Sequence, residues 1–196
     1  MFEKSIVLNR EVSFKIALSL LKFTALVGVA TLAPLLGNQS ITGPIVNATL
    51  FIAVVTMGWR NAILIGLTPS LIALMAGTLP SVLAPMVPFI AVSNAMLIVV
   101  FGLFAKKPAR IATPARHADA SHAGWQSVAG GNYWLGIASA SFLKFVFLFG
   151  TSAILINLFN IQLPKSIALM MSYPQLLTAL AGGVIAYLFL KTIKRV

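Results

Sequence analysis

Two lysines and a few asparagines lie inside stretches that are otherwise apolar, and these are the residues best able to do chemistry in this chain. Lys22 falls about ten residues into the first apolar stretch and Lys144 about eleven into the fifth, which at ~1.5 Å per residue sets them at similar depth. Asn94 falls near that level too, about midway along the fourth stretch. Asn47 and Asn157 lie toward the outer ends of the second and fifth. Polar groups are costly in hydrocarbon, so each marks a candidate site. One reading is a substrate-binding site between helices, open to the outside, lined by Asn47, Asn94, Lys144 and Asn157 and capped by Asn38, Gln39 and Ser40. The plainer reading has Lys22 snorkelling to the inner interface and the asparagines bonding between helices. Lys22 fits the plainer reading; Lys144 lies too deep to snorkel readily and fits the first. Two buried cations without a carboxylate beside them would tolerate an anionic or carbonyl-rich solute.

Missing residue types narrow the function further. The chain has no cysteine, so it builds no disulfide, thiolate zinc site or iron–sulfur centre. Glu3, Glu11 and Asp119 are its only acids, and none lies inside an apolar stretch. Proton- or cation-coupled pumps rely on intramembrane carboxylates. Intramembrane hydrolases and lipid transferases need acids, a metal cage or a nucleophile with its base. Neither an enzyme nor a resident cofactor or metal is expected. His117, Asp119 and His122 have a spacing able to hold a metal, but they sit in a polar connector with no fourth ligand and read as solvated polarity.

These residues need elements to hold them. Of 196 residues, 59% are apolar and only 9% charged, against roughly a quarter charged in soluble domains; mean hydropathy is +0.99. The pattern predicts an all-α polytopic membrane bundle, a single domain of about six transmembrane helices. The spans fall near residues 12–36, 44–57, 62–76, 81–104, 133–159 and 166–190, with a polar cytoplasmic connector over 105–132. The first stretch is interrupted by Lys22 and too long for the core of a signal peptide, so it reads as a span. The second and third are short, roughly 15 residues each, and fit either thin spans or one re-entrant hairpin.

The net charge of +11 is dispersed between the apolar stretches and forms no single face or arm, which argues against nucleic acid. It reads instead as a topological signal. With six spans and both termini cytoplasmic, the inner set is Lys4, Arg10, Lys15, Arg60, Lys106, Lys107, Arg110, Arg116, Lys191, Lys194 and Arg195. Only Lys165 falls in an outer loop. Four spans would carry Arg60 into or across the bilayer, at a cost of roughly a few kcal/mol. Trp59, Trp125, Tyr133 and Trp134 gather near the inner interface, as an aromatic belt does. Small-residue pairs (Ser13 with Ala17, Gly136 with Ala140, and Ala179, Gly182, Gly183 and Ala186) allow close helix crossings and read as packing within the chain.

Four phrases carry a family resemblance: Ile41-Thr42-Gly43-Pro44-Ile45-Val46-Asn47-Ala48, Gly66-Leu67-Thr68-Pro69-Ser70-Leu71, Ala84-Pro85-Met86-Val87-Pro88-Phe89, and Gln175-Leu176-Leu177-Thr178-Ala179-Leu180-Ala181-Gly182-Gly183. With the chain's size and six short hydrophobic segments, they resemble the S components of energy-coupling factor (ECF) transporters, over nearly all the chain outside about 106–131. The resemblance implies a binder for a vitamin-type micronutrient in the cell (inner) membrane. Its partners would be a transmembrane T component and two ATP-binding subunits that supply the energy. It also implies a pocket facing outside, covered by the first outer loop, here Asn38 to Thr42. The family docks its T component on spaced alanines early in the first helix; Ser13 and Ala17 are the nearest match and depart from a clean alanine pair. The alternative is a non-transporting membrane scaffold or assembly protein, in which the buried polar groups serve packing alone.

Overall fold

The computed structural model describes residues 2–77, 81–105, 130–159 and 172–193, with side chains described over 12–77, 84–105, 132–155 and 172–193. The described elements are helical throughout. They are α1 (Phe2–Leu32), followed by a 3-10 turn at Ala33–Leu36, α2 (Gln39–Met57), α3 (Trp59–Met75), a 3-10 segment at Ser81–Met86 leading into α4 (Val87–Ala105), α5 (Gly130–Phe159) and α6 (Tyr173–Thr192). Five stretches are long and apolar enough to cross a membrane: Val12–Leu36, Gln39–Met57, Ala84–Ala105, Asn132–Leu155 and Tyr173–Thr192. This is an all-α, multi-pass membrane bundle. Residues 106–129 of the connector, with His117, Asp119, His122 and Trp125, lie outside the described residues, as do Lys165 and the expected start of the sixth span.

Local chemistry sets the breaks between helices. Gly37 ends the first 3-10 turn with φ at 68° and donates its N–H to Pro34 O. Asn38 then caps α2, its Oδ1 accepting from Ser40 N at 3.0 Å. The second helix therefore starts at Gln39, five residues before the expected Pro44. The proline, expected to open the helix, sits inside it as the sixth residue, where it leaves the Ser40 carbonyl without its usual helical donor. Between α2 and α3 a single residue, Gly58, makes the turn at φ 82° and ψ 157°, a conformation essentially restricted to glycine. Within α3, Pro69 leaves the Ile65 carbonyl without its usual helical donor, and the Thr68 hydroxyl supplies one at 2.9 Å.

The third helix, at 17 residues, is the short one, about 25 Å long. It does not turn back at mid-depth. It runs antiparallel to α4, with Trp59 against Gly102 at one end and Gly66 against Asn94 and Ile98 at the middle. From Gly66 it continues to Met75, another ~13 Å. Two arrangements were compatible with the sequence, a thin span or half of a re-entrant hairpin; this helix passes the mid-level of the bundle.

The second helix is central and packs against α1, α3, α4 and α6. Its closest partner is α6, which runs parallel to it: Gly43 meets Thr178, and Gly182 meets Pro44, Asn47 and Ala48. Helices α4 and α5 form the other tight pair, antiparallel, with Gly136 against Phe101 and Phe104. The core between them holds Leu50, Phe51, Ile65, Leu97, Ile98, Phe101, Tyr133 and Ile137. Phe51 and Phe101 meet edge to face at 4.8 Å, as do Phe101 and Tyr133 at 5.5 Å. Toward the Arg60 end the aromatic chain continues through Trp134 and Tyr187, and the Arg60 guanidinium sits 5.5 Å from the Trp59 ring. Trp59, Tyr133 and Trp134 thus share one end of the bundle. The first helix is different: every described residue from Val12 to Leu21 is exposed, and only from about Phe23 does it meet the core.

Candidate functional site: a lysine held between two asparagines

The centre of the bundle is organised by Lys144. Lysine carries N–H donors on a long stem, and burial of its nitrogen demands acceptors close by. On α5 the residue is 4% exposed, and its Nζ donates to Asn47 Oδ1 on α2 and to Asn94 Oδ1 on α4, both at 2.7 Å. The two asparagines are each 2% exposed. Because the lysine donates, each amide turns its oxygen inward and its NH2 group away. The Asn94 NH2 meets the Gly66 carbonyl of α3 at 3.0 Å. The three side chains therefore link four helices. The sixth helix joins through Gly182, which lies against Asn47.

Register explains why these three residues meet. Lys144 is near the middle of Asn132–Leu155 and Asn94 near the middle of Ala84–Ala105. With α2 starting at Gln39, Asn47 is about eight residues into its helix, at the same level, and not near the outer end as expected from a start at Pro44. Glycines let the helices close on the node. A methyl built on Gly182 would stand 2.7 Å from Asn47 Cβ, 2.8 Å from Ala48 N and 2.9 Å from Pro44 O. A methyl on Gly66 would stand 2.7 Å from Ile98 Cδ1 and 3.5 Å from Asn94 Cβ.

Asn47, Asn94 and Lys144 are thus brought together, and the other candidates stand apart. Asn38 is exposed and spends its oxygen on the helix cap. Gln39 is half-buried in the first turn of α2, about 12 Å along the helix from Asn47. The expected covering segment, Asn38 to Thr42, is therefore a helix cap and a first helical turn, not a loop over the node. Asn157 is on α5 about 20 Å beyond Lys144, and its side chain lies outside the described residues. Lys22 is half-buried on α1 and takes no part in the node. Ser13 and Ala17 are exposed on α1.

Two buried hydroxyls were not singled out from the sequence. Thr49, Ser93, Ser152 and Thr178 all donate to a carbonyl of their own helix, at 2.7 to 3.1 Å. Ser141 and Ser70 are buried and make no hydrogen bond among the described residues. Ser141 is one turn from Lys144 on the same face of α5, a spacing visible in the sequence. Ser70 is one turn beyond Gly66 on α3. Tyr133 was read as a belt residue; it is buried and donates to Gly183 O at 3.0 Å, joining α5 to α6.

Fold and site together define a polytopic helical membrane protein whose helices converge on a buried lysine–diamide node. Neither a protein-family model, nor a curated protein, nor a solved structure matches the chain.

Proposed function

We propose that this chain is the membrane-embedded, solute-binding subunit of an ATP-driven importer for a vitamin-type micronutrient, resembling an ECF S component. The observation that carries the reading is Lys144 midway along an apolar span, bonded to Asn47 and Asn94, in spans without one acid. Such a centre can hold a polar solute by hydrogen bonds, and without intramembrane carboxylates it has no means of coupling to a proton gradient by their titration. Energy would come from ATP-binding subunits through a transmembrane T component. The exposed length of α1 from Val12 to Leu21, which includes Ser13 and Ala17, offers a surface for that partner or for lipid. The chain itself performs no catalysis in this reading, and both termini face the cytoplasm of a cell (inner) membrane.

The test is purification of the full chain with its lipid, followed by native mass spectrometry. A co-bound micronutrient and co-purifying ATPase subunits are expected; absence of both overturns the importer. A second reading, a non-transporting scaffold, draws support from the node's self-contained geometry, since the two asparagine oxygens already satisfy two lysine donors. It predicts helices that lose stability when the node is cut and a protein that carries no solute.

A further inference from the structure

We infer that the group anchored by this node is a carboxylate: the solute's acid occupies Lys144 together with the donors around it. The inference rests on the solute-binding reading and specifies what the site accepts. An ammonium offers three N–H donors and no acceptor; two are spent on Asn47 and Asn94 and one is unspent. Because both amide oxygens must face the lysine, both NH2 groups face elsewhere. Asn94 spends one N–H on Gly66 O, and Asn47 spends none among the described residues. One turn back along α5, on the lysine's face, Ser141 is fully buried with its hydroxyl unpartnered. Thr49, Ser93, Ser152 and Thr178 satisfy themselves on their own helices, whereas Ser141, like Ser70 on α3, is left for another partner.

Several donors at the node are therefore unspent, beside the lone pairs left on Ser141 and the asparagine oxygens. The charge is one-sided, since no Asp or Glu lies in any span. A counter-charge and full hydrogen bonding stabilise a buried ammonium. A carboxylate supplies both, through charge-assisted bonds that are stronger than neutral ones. A cationic group would meet like charge. A neutral primary amide meets the same donors through its carbonyl oxygen but brings no counter-charge to the lysine.

The experiment presents the full chain in lipid nanodiscs with matched acid and amide pairs: nicotinate with nicotinamide, biotin with biotinamide, and lipoate with lipoamide. Retained compounds are read by native mass spectrometry. At least one acid is expected to be retained over its amide by about tenfold or more. Lys144→Gln, which still offers N–H groups to both asparagines, and Ser141→Ala, which leaves the lysine cross-link whole, are each expected to reduce that preference several-fold. Equal or better retention of the amides overturns the inference, and so does a preference unchanged in both variants. Retention of no acid by the wild type overturns it as well. The importer reading is judged separately, on solute and ATPase subunits carried through purification, and a neutral or cationic solute found there would keep that reading while refuting the carboxylate.

Discussion

Asn47 Cβ lies where a side chain at Gly182 would have to go: a methyl there would approach it to 2.7 Å, with the α2 backbone at 2.8 and 2.9 Å. The atoms in the way are mainly backbone, so the clash is relieved only by moving α2 from α6. That movement carries Asn47 away from Lys144. Gly182→Ala is therefore expected to destabilise the bundle by ~1–3 kcal/mol and to weaken whatever the node binds. Gly28→Ala, with nothing within 4 Å of the added carbon, is the control and is expected to be neutral or slightly stabilising. Equal melting temperatures for the two variants in lipid nanodiscs would refute the account.

Lys144 and Asn94 act as a unit. Asn94→Ala removes an acceptor from the buried nitrogen and the donor to Gly66 O, at an expected cost of ~2–3 kcal/mol. Lys144→Met removes the need for the acceptor. In a double-mutant cycle, Asn94→Ala should then cost less in the Lys144→Met background than alone. Additive costs, measured by unfolding in mixed micelles, would show that the two side chains are uncoupled. Lys144→Ala is expected to sharply weaken solute binding while the helical circular dichroism persists. Unchanged affinity would assign Lys144 to structure alone.

Tyr133 contributes through its hydroxyl as well as its ring. Tyr133→Phe keeps the ring and loses the bond to Gly183 O, with an expected loss of about 1 kcal/mol. Tyr187→Phe makes a fitting comparison, because its described contacts are through its ring. If Tyr133→Phe melts as the wild type does, the hydroxyl contributes nothing.

Gly58 makes the α2–α3 turn with φ at 82° and ψ at 157°. Gly58→Ala forces a side chain into that region and is expected to cost ~1–3 kcal/mol. Thermal denaturation against Gly150→Ala, where nothing lies within 4 Å, separates backbone strain from a general helix effect. Comparable losses in the two variants would mean the turn tolerates a side chain.

The orientation is open to direct mapping, because the chain has no cysteine of its own. In intact cells, a membrane-impermeant maleimide is expected to label Asn38→Cys and to spare Asn61→Cys until the membrane is permeabilised. The reverse pattern would invert the proposed topology.

Much of the architecture was legible in the sequence because each helix must satisfy its own backbone in lipid, so apolar length and Gly/Pro punctuation reveal it without reference to the rest of the chain. Boundaries were less legible. Pro44 marked a helix start by its type, yet the Asn38 cap starts the helix at Gln39, five residues earlier, and that shift was enough to misplace Asn47 in depth. Of the six expected site residues, Asn47, Asn94 and Lys144 converge, while Asn38 and Gln39 belong to the start of α2.

By itself, the sequence determined that the chain is a membrane bundle of apolar helices, with a lysine inside it and no acid in its spans. Those are consequences of composition and local spacing. Only the tertiary structure decided that Lys144 takes its acceptors from α2 and α4, that Asn94 passes the link on to α3, that Gly182 presses α6 onto Asn47, and that Ser141 is left unpartnered. Each depends on the register between helices far apart in the chain. That register is set by side chains and glycines packing across helix pairs, and no single helix carries that information.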